Sequence, residues 1–148
     1  MRMDANSRIS DASASDANGP SKHHVIERDL SFELTGVFFE IHNALGRFCH
    51  ERQYSDAITV ALTTKRIPFE REKVLDPMFP GEPPGRHRVD FLVDRRILIE
   101  VKAKPAVERI DYVQVHRYLA ALQLKLGLLV NFGTKLVVPR RILNSQIV

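Results

Sequence analysis

The chain has 148 residues, 44% hydrophobic and 27% charged, as in an ordinary globular protein, and its length allows one compact domain with a real core. The net charge of +4 suits a polyanionic partner such as a nucleic acid, although an arbitrary basic surface gives the same figure. A single cysteine excludes an intrachain disulfide framework and a cysteine-rich zinc site. Because the chain has this one cysteine, we expect a cytoplasmic protein. No run approaches the roughly 20 apolar residues of a membrane span, so we expect no membrane partner.

The N-terminal part of the chain changes texture near residue 28. Residues 1–27 are rich in Ser, Asp, Ala and Asn and nearly lack large apolar side chains, so we expect a disordered tail. From Asp29, apolar residues recur at three- and four-residue steps, which predicts an amphipathic helix with Asp29 as its N-cap and Gly46 as its stop. The same pattern predicts a second helix over residues 51–65.

The remainder of the chain mixes strands with one further helix. A loop rich in Pro and Gly interrupts it, and Pro139 marks an edge strand because proline cannot donate to a ladder. We expect strands at 69–75, 86–93, 96–103, 125–132 and 135–143, and a helix at 106–123. The order ααβββαβ, followed by a last strand, predicts an α/β domain over residues 28–148 with helices flanking one sheet.

Three charged residues interrupt two of the apolar strands: Asp90 in RVDFLV, and Glu100 and Lys102 in ILIEVK. Because burying an unpaired charge is costly, these side chains either reach water or form a site. Glu100 and Lys102 share one face of their strand. A two-residue turn would place Asp90 opposite Ile99, whereas a three-residue loop of residues 94–96 places it opposite Glu100, with Cβ atoms about 5 Å apart.

Two carboxylates at that separation repel each other unless a positive charge lies between them. Mg²⁺ is the natural occupant, because it takes oxygen ligands from one or two carboxylates and keeps several waters. Lys102 would then position the attacking water or stabilise charge developing on a phosphate. The alternative is an ion-pair row on a half-exposed sheet face, against which Leu92 and Leu98 count because they share that face.

The placement of Asp90 on the second strand and of E-x-K on the third resembles the PD-(D/E)XK nuclease superfamily, whose restriction-endonuclease-like core is αβββαβ with a mixed central sheet. Valine precedes the aspartate here where the motif name has proline. The resemblance implies Mg²⁺ or Mn²⁺ as cofactor. It also implies that Asp90 and Glu100 hold the metal with the Val101 carbonyl, and that Lys102 assists the reaction.

The third predicted helix carries a second similarity. Gln114 and Tyr118 form Q-x-x-x-Y, which resembles the motif that follows the active-site lysine in RecB-like members, and at i and i+4 they share a helix face. The resemblance implies a catalytic role for Gln114. A core tyrosine beside a surface glutamine is the alternative.

A narrower likeness covers about residues 30–143. LTGVFFEIHNALG, GRFCHERQY, RVDFLV, ILIEVKA, QVHRYL and LKLGLLVNFG resemble the GxxExxY family of small bacterial proteins, with Glu51 and Tyr54 in its E-x-x-Y and Phe48 where its glycine falls. The family implies that Glu51 projects towards the metal site and acts with the catalytic residues. A carboxylate favoured by the dipole at a helix N-terminus explains Glu51 equally well.

The sequence therefore predicts a metal-dependent nuclease-like protein that hydrolyses phosphodiester bonds of nucleic acid, with DNA favoured over RNA. Arg88, Lys104 and Tyr118 are the candidates for nucleic-acid contacts, and Arg88 leads because it lies two residues before Asp90. One alternative is a catalytically silent nucleic-acid-binding module on the same fold. Another is a protein-interaction module that docks, as a homodimer or otherwise, through the third helix and the edge strand.

Overall fold

The computed structural model describes residues 25–146, so most of the predicted tail and the last two residues lie outside the described part. The elements follow in the predicted order, and each begins and ends within a few residues of its predicted bounds, the last strand excepted. The helices of the described part are α1 (Arg28–Leu45), α2 (Glu51–Thr64) and α3 (Arg109–Leu122). Its strands are β1 (Phe69–Val74), β2 (Arg88–Val93), β3 (Ile97–Lys102), β4 (Leu126–Asn131) and β5 (Arg140–Leu143).

The strands form one mixed sheet in the order β1-β2-β3-β4-β5. The first three strands are an antiparallel meander, α3 connects β3 to the parallel strand β4, and β5 returns antiparallel to β4. The predicted α/β architecture with an αβββαβ core is confirmed. No helix among residues 25–146 is long and apolar enough to cross a membrane.

Helices cover both faces of the sheet. One core lies beneath α1 and α2, where Phe38 and Tyr54 pack against Phe132 just beyond β4. The other lies beneath α3, where Val115 and Leu119 pack against strand residues of the opposite face. All six residues of β4 are buried, as expected for a strand covered on both sides.

Two predicted boundaries differ from the structure. The N-cap of α1 is Glu27 in a left-handed conformation, not Asp29, which lies in the first turn, where the helix dipole favours a carboxylate. The last strand begins at Arg140 instead of residue 135, because Pro139 has no N–H with which to extend the ladder. Gly46 ends α1 as predicted, with φ of 75° and an N–H that donates to the His42 carbonyl at 2.8 Å.

A side-chain clamp joins the end of β4 to the loop that follows β3. Asn131 Oδ1 accepts the Lys104 N–H at 3.0 Å, and Asn131 Nδ2 donates to the Lys104 carbonyl at 2.9 Å. Gly133 lies so close to the same peptide that a Cβ there would come within 2.4 Å of the Lys104 nitrogen and oxygen. The chain path just beyond Lys102 is therefore fixed by contacts that leave no room for a side chain.

We expect Gly133→Ala to lower the free energy of unfolding by about 2 kcal/mol, because the added methyl group must displace backbone. The matched control is Gly36→Ala in α1, where a Cβ meets nothing within 4 Å. Alanine should stabilise that helix position by roughly 0.5–1 kcal/mol. Urea unfolding of both variants measures the difference, and equal midpoints would contradict the close approach at Gly133.

Candidate active site

The turn between β2 and β3 uses three residues, 94–96, which confirms the predicted register. Phe91 pairs with Ile99 and Val93 with Ile97. The turn closes with the Arg96 N–H donating to the Val93 carbonyl at 2.9 Å. Continued by one residue, this register sets Asp90 opposite Glu100.

Where β2 and β3 separate, side-chain carboxylates replace main-chain carbonyls as the acceptors of hydrogen bonds between the two strands. The backbone N–H of Asp90 donates to Glu100 Oε2 at 2.8 Å, and the backbone N–H of Val101 donates to Asp90 Oδ2 at 2.7 Å. Each carboxylate thus accepts a hydrogen bond from the opposite strand. The structure brings Asp90 and Glu100 together, as the charge pattern predicted.

The two carboxyl groups are buried together. Glu100 is 3% exposed, and burial, with the neighbouring Asp90 as the second cause, raises its pKa to about 8. Burial also raises the pKa of Asp90, against the opposing effect of its hydrogen bond from Val101. A cation between the two groups would favour both charged forms.

The donors at this point suit a hard divalent cation. Each carboxylate uses one oxygen for a backbone N–H, and the other oxygen accepts no hydrogen bond from residues 25–146. Because the N–H and C=O of one strand residue point to the same side, the Val101 carbonyl also faces β2. Two carboxylate oxygens and a carbonyl fit Mg²⁺ or Mn²⁺, which keep several waters. The described residues contain no group of three or more His, Cys, Asp or Glu side chains arranged to hold a metal.

The first turns of α3 hold the Lys102 ammonium. Lys102 Nζ lies 3.5 Å from Gln114 Oε1 and 3.9 Å from Asp111 Oδ1. Gln114 Nε2 in turn donates to the Tyr118 hydroxyl at 3.2 Å. Lys102, Gln114 and Tyr118, which the motifs singled out separately, therefore form one hydrogen-bonded row.

Two of the predicted nucleic-acid contacts lie in unexpected surroundings. Tyr118 is only 4% exposed and belongs to the core beneath α3, so its ring offers little surface to a bound strand. Lys104 Nζ lies 2.6 Å from Asp111 Oδ2 and 3.5 Å from Glu108 Oε2, so its charge is matched by two carboxylates.

A cavity of about 240 Å³ opens beside Asp90 and contains Glu51, the first residue of α2. Burial, and then the Asp90 carboxylate, raise the pKa of Glu51. The exposed Arg88 also lines the cavity, with Nη1 3.7 Å from Glu72 Oε1. A larger cavity of about 530 Å³ lies against α1 and contains none of the predicted site residues.

Asp111 is a buried site residue that the sequence reasoning missed. It bridges Lys102 and Lys104, and its Oδ2 also accepts the Glu108 N–H at 2.8 Å. Burial opposes the charged form, but the Lys104 hydrogen bond and the other donors outweigh burial and lower the pKa of Asp111. The only local signal was a capping box at the start of α3, which explains Asp111 without any site.

Glu72 was also missed, and it lies where the pairing between β1 and β2 is interrupted. Its φ of 53° is left-handed, and the β1–β2 pairing omits it at the level of Asp90. Val89 packs beneath α3 whereas Phe91 and Val93 pack beneath α1 and α2, although alternate residues of a regular strand share one face. Strict alternation fails because β2 is unpaired on both sides at Asp90.

Comparison with known proteins gives one match. A family model described as the PD-(D/E)XK nuclease superfamily matches residues 28–142, which include every site residue discussed above. No curated protein and no solved structure matches significantly. The match identifies the superfamily and does not identify the narrower GxxExxY family.

The raised pKa of Glu100 predicts how the stability of the metal-free protein depends on pH. The folded protein keeps a proton that the unfolded chain releases above about pH 4.3, so the free energy of unfolding falls as pH rises from there through about 8. At pH 8.5 in EDTA, Glu100→Gln should be more stable than the native chain by on the order of 2 kcal/mol, because it buries no charge.

Urea unfolding at pH 5.5 and pH 8.5 measures this effect. The control is Glu33→Gln on the exposed side of α1, which should keep the native pH dependence. A native-like pH dependence in Glu100→Gln would contradict the buried, uncompensated carboxyl group.

Proposed function

Since the chain belongs to the PD-(D/E)XK nuclease superfamily, we propose that it is a divalent-cation-dependent nuclease that hydrolyses phosphodiester bonds of nucleic acid, with DNA the expected substrate. The observation that carries the proposal is the exchange of hydrogen bonds between Asp90 and Glu100 across the separating strands. These hydrogen bonds bring two acidic side chains together at a point where Lys102 follows Glu100 by two residues on the same strand. A sheet face built only for stability gains nothing from buried carboxylates.

The cation would be held by the free oxygens of Asp90 and Glu100 and by the Val101 carbonyl. When bound, Mg²⁺ or Mn²⁺ supplies a Lewis acid that acidifies water and neutralises charge on a phosphate. The carboxylates would place that charge near the end of β3, where β2 and β3 part.

The Lys102 ammonium supplies the positive charge of the protein itself. Held by Gln114 and Asp111, it can donate to a water or to a phosphate oxygen on which negative charge grows during the reaction. Tyr118 fixes which way the Gln114 amide faces, because its hydroxyl accepts from Nε2 and leaves Oε1 towards Lys102. We therefore assign Tyr118 a positioning role in place of direct contact with the substrate.

The cavity beside Asp90 suits the phosphates that flank the reacting one. Arg88 and Arg52 line it and offer guanidinium donors to phosphate oxygens. Glu51 lines the same cavity, where its carboxylate can accept hydrogen bonds from water. Lys104 contributes less, since its ammonium is already paired.

We also propose that the chain belongs to the GxxExxY group. The hydrogen bonds of Tyr54, the tyrosine of the E-x-x-Y motif, support this proposal. The buried Tyr54 hydroxyl donates to the Gly46 carbonyl and accepts the Cys49 N–H at 3.2 Å. These bonds fix the turn that precedes α2. Glu51 therefore starts its helix at the cavity.

Cleavage of DNA by the purified protein in Mg²⁺ or Mn²⁺ tests the proposed activity. Lys102→Ala and Glu100→Gln should each lower the cleavage rate at least 100-fold, since the first removes the ammonium proposed to face the reacting phosphate and the second removes a carboxylate proposed to hold the cation. The control is Lys125→Ala, at the opposite end of the β3–β4 pair from Lys102. Cleavage that persists unchanged in both site variants would remove the mechanism, and binding without cleavage would favour a silent module.

Tyr118→Phe should lower kcat about threefold to tenfold and leave KM within twofold, because Gln114 loses the acceptor that orients it toward Lys102. The ring and its packing remain, so the melting temperature should hardly change. Tyr112→Phe on the same helix is the control, since the Tyr112 hydroxyl makes no hydrogen bond to residues 25–146. Equal kcat in the two variants would contradict a positioning role for Tyr118.

A further inference from the structure

The loop between α1 and α2, residues 46–50, holds an aromatic ring out in solvent. Phe48 is 86% exposed, the largest exposed fraction of any large hydrophobic side chain among residues 25–146. A single exposed apolar residue is ordinary on a protein surface. This one differs in how firmly its loop is held and in what lies beside it.

The loop is tied at both ends and in the middle. Gly46 bonds back to α1, the Tyr54 hydroxyl bonds to both Gly46 and Cys49, and the His50 N–H donates to Gln53 Oε1 at 2.8 Å. Cys49 packs against the core. Phe48 therefore projects from a backbone that is already ordered, and binding through its ring costs little conformational entropy.

A guanidinium group covers one face of the ring. The Arg47 guanidinium carbon lies 4.9 Å from the Phe48 ring centroid, within the range of a cation–π contact. The pair offers a flat apolar face and a positive charge together. A nucleotide presents the complementary pair, a base with a π face and a phosphate.

Two successive contacts link the loop to the backbone of the proposed active site. The Tyr54 ring stacks on Phe132 with centroids 4.4 Å apart, and the Phe132 N–H donates to the Lys102 carbonyl at 2.8 Å. Phe48 also precedes Glu51 by three residues, so their Cα atoms are at most about 11 Å apart. Phe48 thus lies on the loop that leads directly into the residue lining the cavity beside Asp90.

We propose that Phe48, backed by Arg47, is a stacking platform for an unpaired base of single-stranded nucleic acid. Bases inside a duplex have both faces covered by their neighbours, so an aromatic side chain that stacks selects bases that are unpaired or at a frayed end. The inference rests on the proposed function, since it names the form of nucleic acid that the proposed active site would take. Its test, however, measures binding without cleavage.

The chain contains no tryptophan, which makes the test direct. Phe48→Trp places a single tryptophan, excitable apart from the three tyrosines, on the loop and keeps an aromatic face. In EDTA, titration with a mixed-sequence DNA strand of about 12 nucleotides should quench this tryptophan, and a blunt hairpin of the same sequence should quench it far less.

Phe48→Ala should weaken binding of the single strand about tenfold and change binding of the hairpin less than twofold. The control is Phe32→Ala, since Phe32 lies on α1, is 80% exposed and does not belong to the loop. Native affinity in Phe48→Ala, or unquenched fluorescence in Phe48→Trp at saturating single strand, would overturn the platform. Failure to bind either DNA would overturn it too.

These results separate the platform from the proposed nuclease activity. Cleavage in Mg²⁺ that Phe48→Ala leaves unchanged on single strands would refute the platform and retain the nuclease. Quenching and tenfold weaker binding without any cleavage would retain the platform and refute the nuclease.

Discussion

The exchange of hydrogen bonds between Asp90 and Glu100 is the interaction on which the rest of the site depends. Opening two paired strands leaves backbone N–H groups without partners, and a buried unpaired N–H is costly. The two carboxylates satisfy those groups at 2.7 and 2.8 Å, so the strands part without leaving the N–H groups of Asp90 and Val101 unbonded. The same bonds fix the orientation of both side chains and leave one oxygen of each without a hydrogen bond from the described residues.

Burial of these carboxylates explains why the lysine is held elsewhere. A direct pair between Lys102 and Glu100 would ease the cost of burial, but it would occupy an oxygen that the proposed cation would use. The structure instead directs the ammonium towards Asp111 and Gln114 on α3. With Tyr118, these residues lie at intervals of three and four along α3 and therefore share one face. Because α3 connects the parallel strands β3 and β4, this face of α3 lies over the end of β3.

Much of this arrangement could be predicted from local sequence. Helix periodicity, the glycine after α1 and the three-residue turn are local features, and the register of Asp90 and Glu100 follows from counting residues in that turn. Asp111 escaped prediction because its contact with Lys102 depends on how α3 crosses the sheet, while its local pattern is that of a helix cap. Glu72 escaped because nothing in an alternating strand marks a left-handed residue at the level where β1 and β2 lose their pairing.

The topology also connects the loop that carries Phe48 with the proposed active site. Because β3 and β4 are parallel, their carboxyl ends meet at one edge of the sheet, where Phe132 joins the Lys102 backbone to Tyr54. Tyr54 holds the loop that carries Phe48, and that loop leads into Glu51 at the cavity. A single strand stacked on the proposed platform would therefore contact the same core that fixes the Lys102 backbone. In the proposed nuclease, recognition and chemistry would share one set of core contacts, and selectivity for unpaired bases would come from a single turn between two helices.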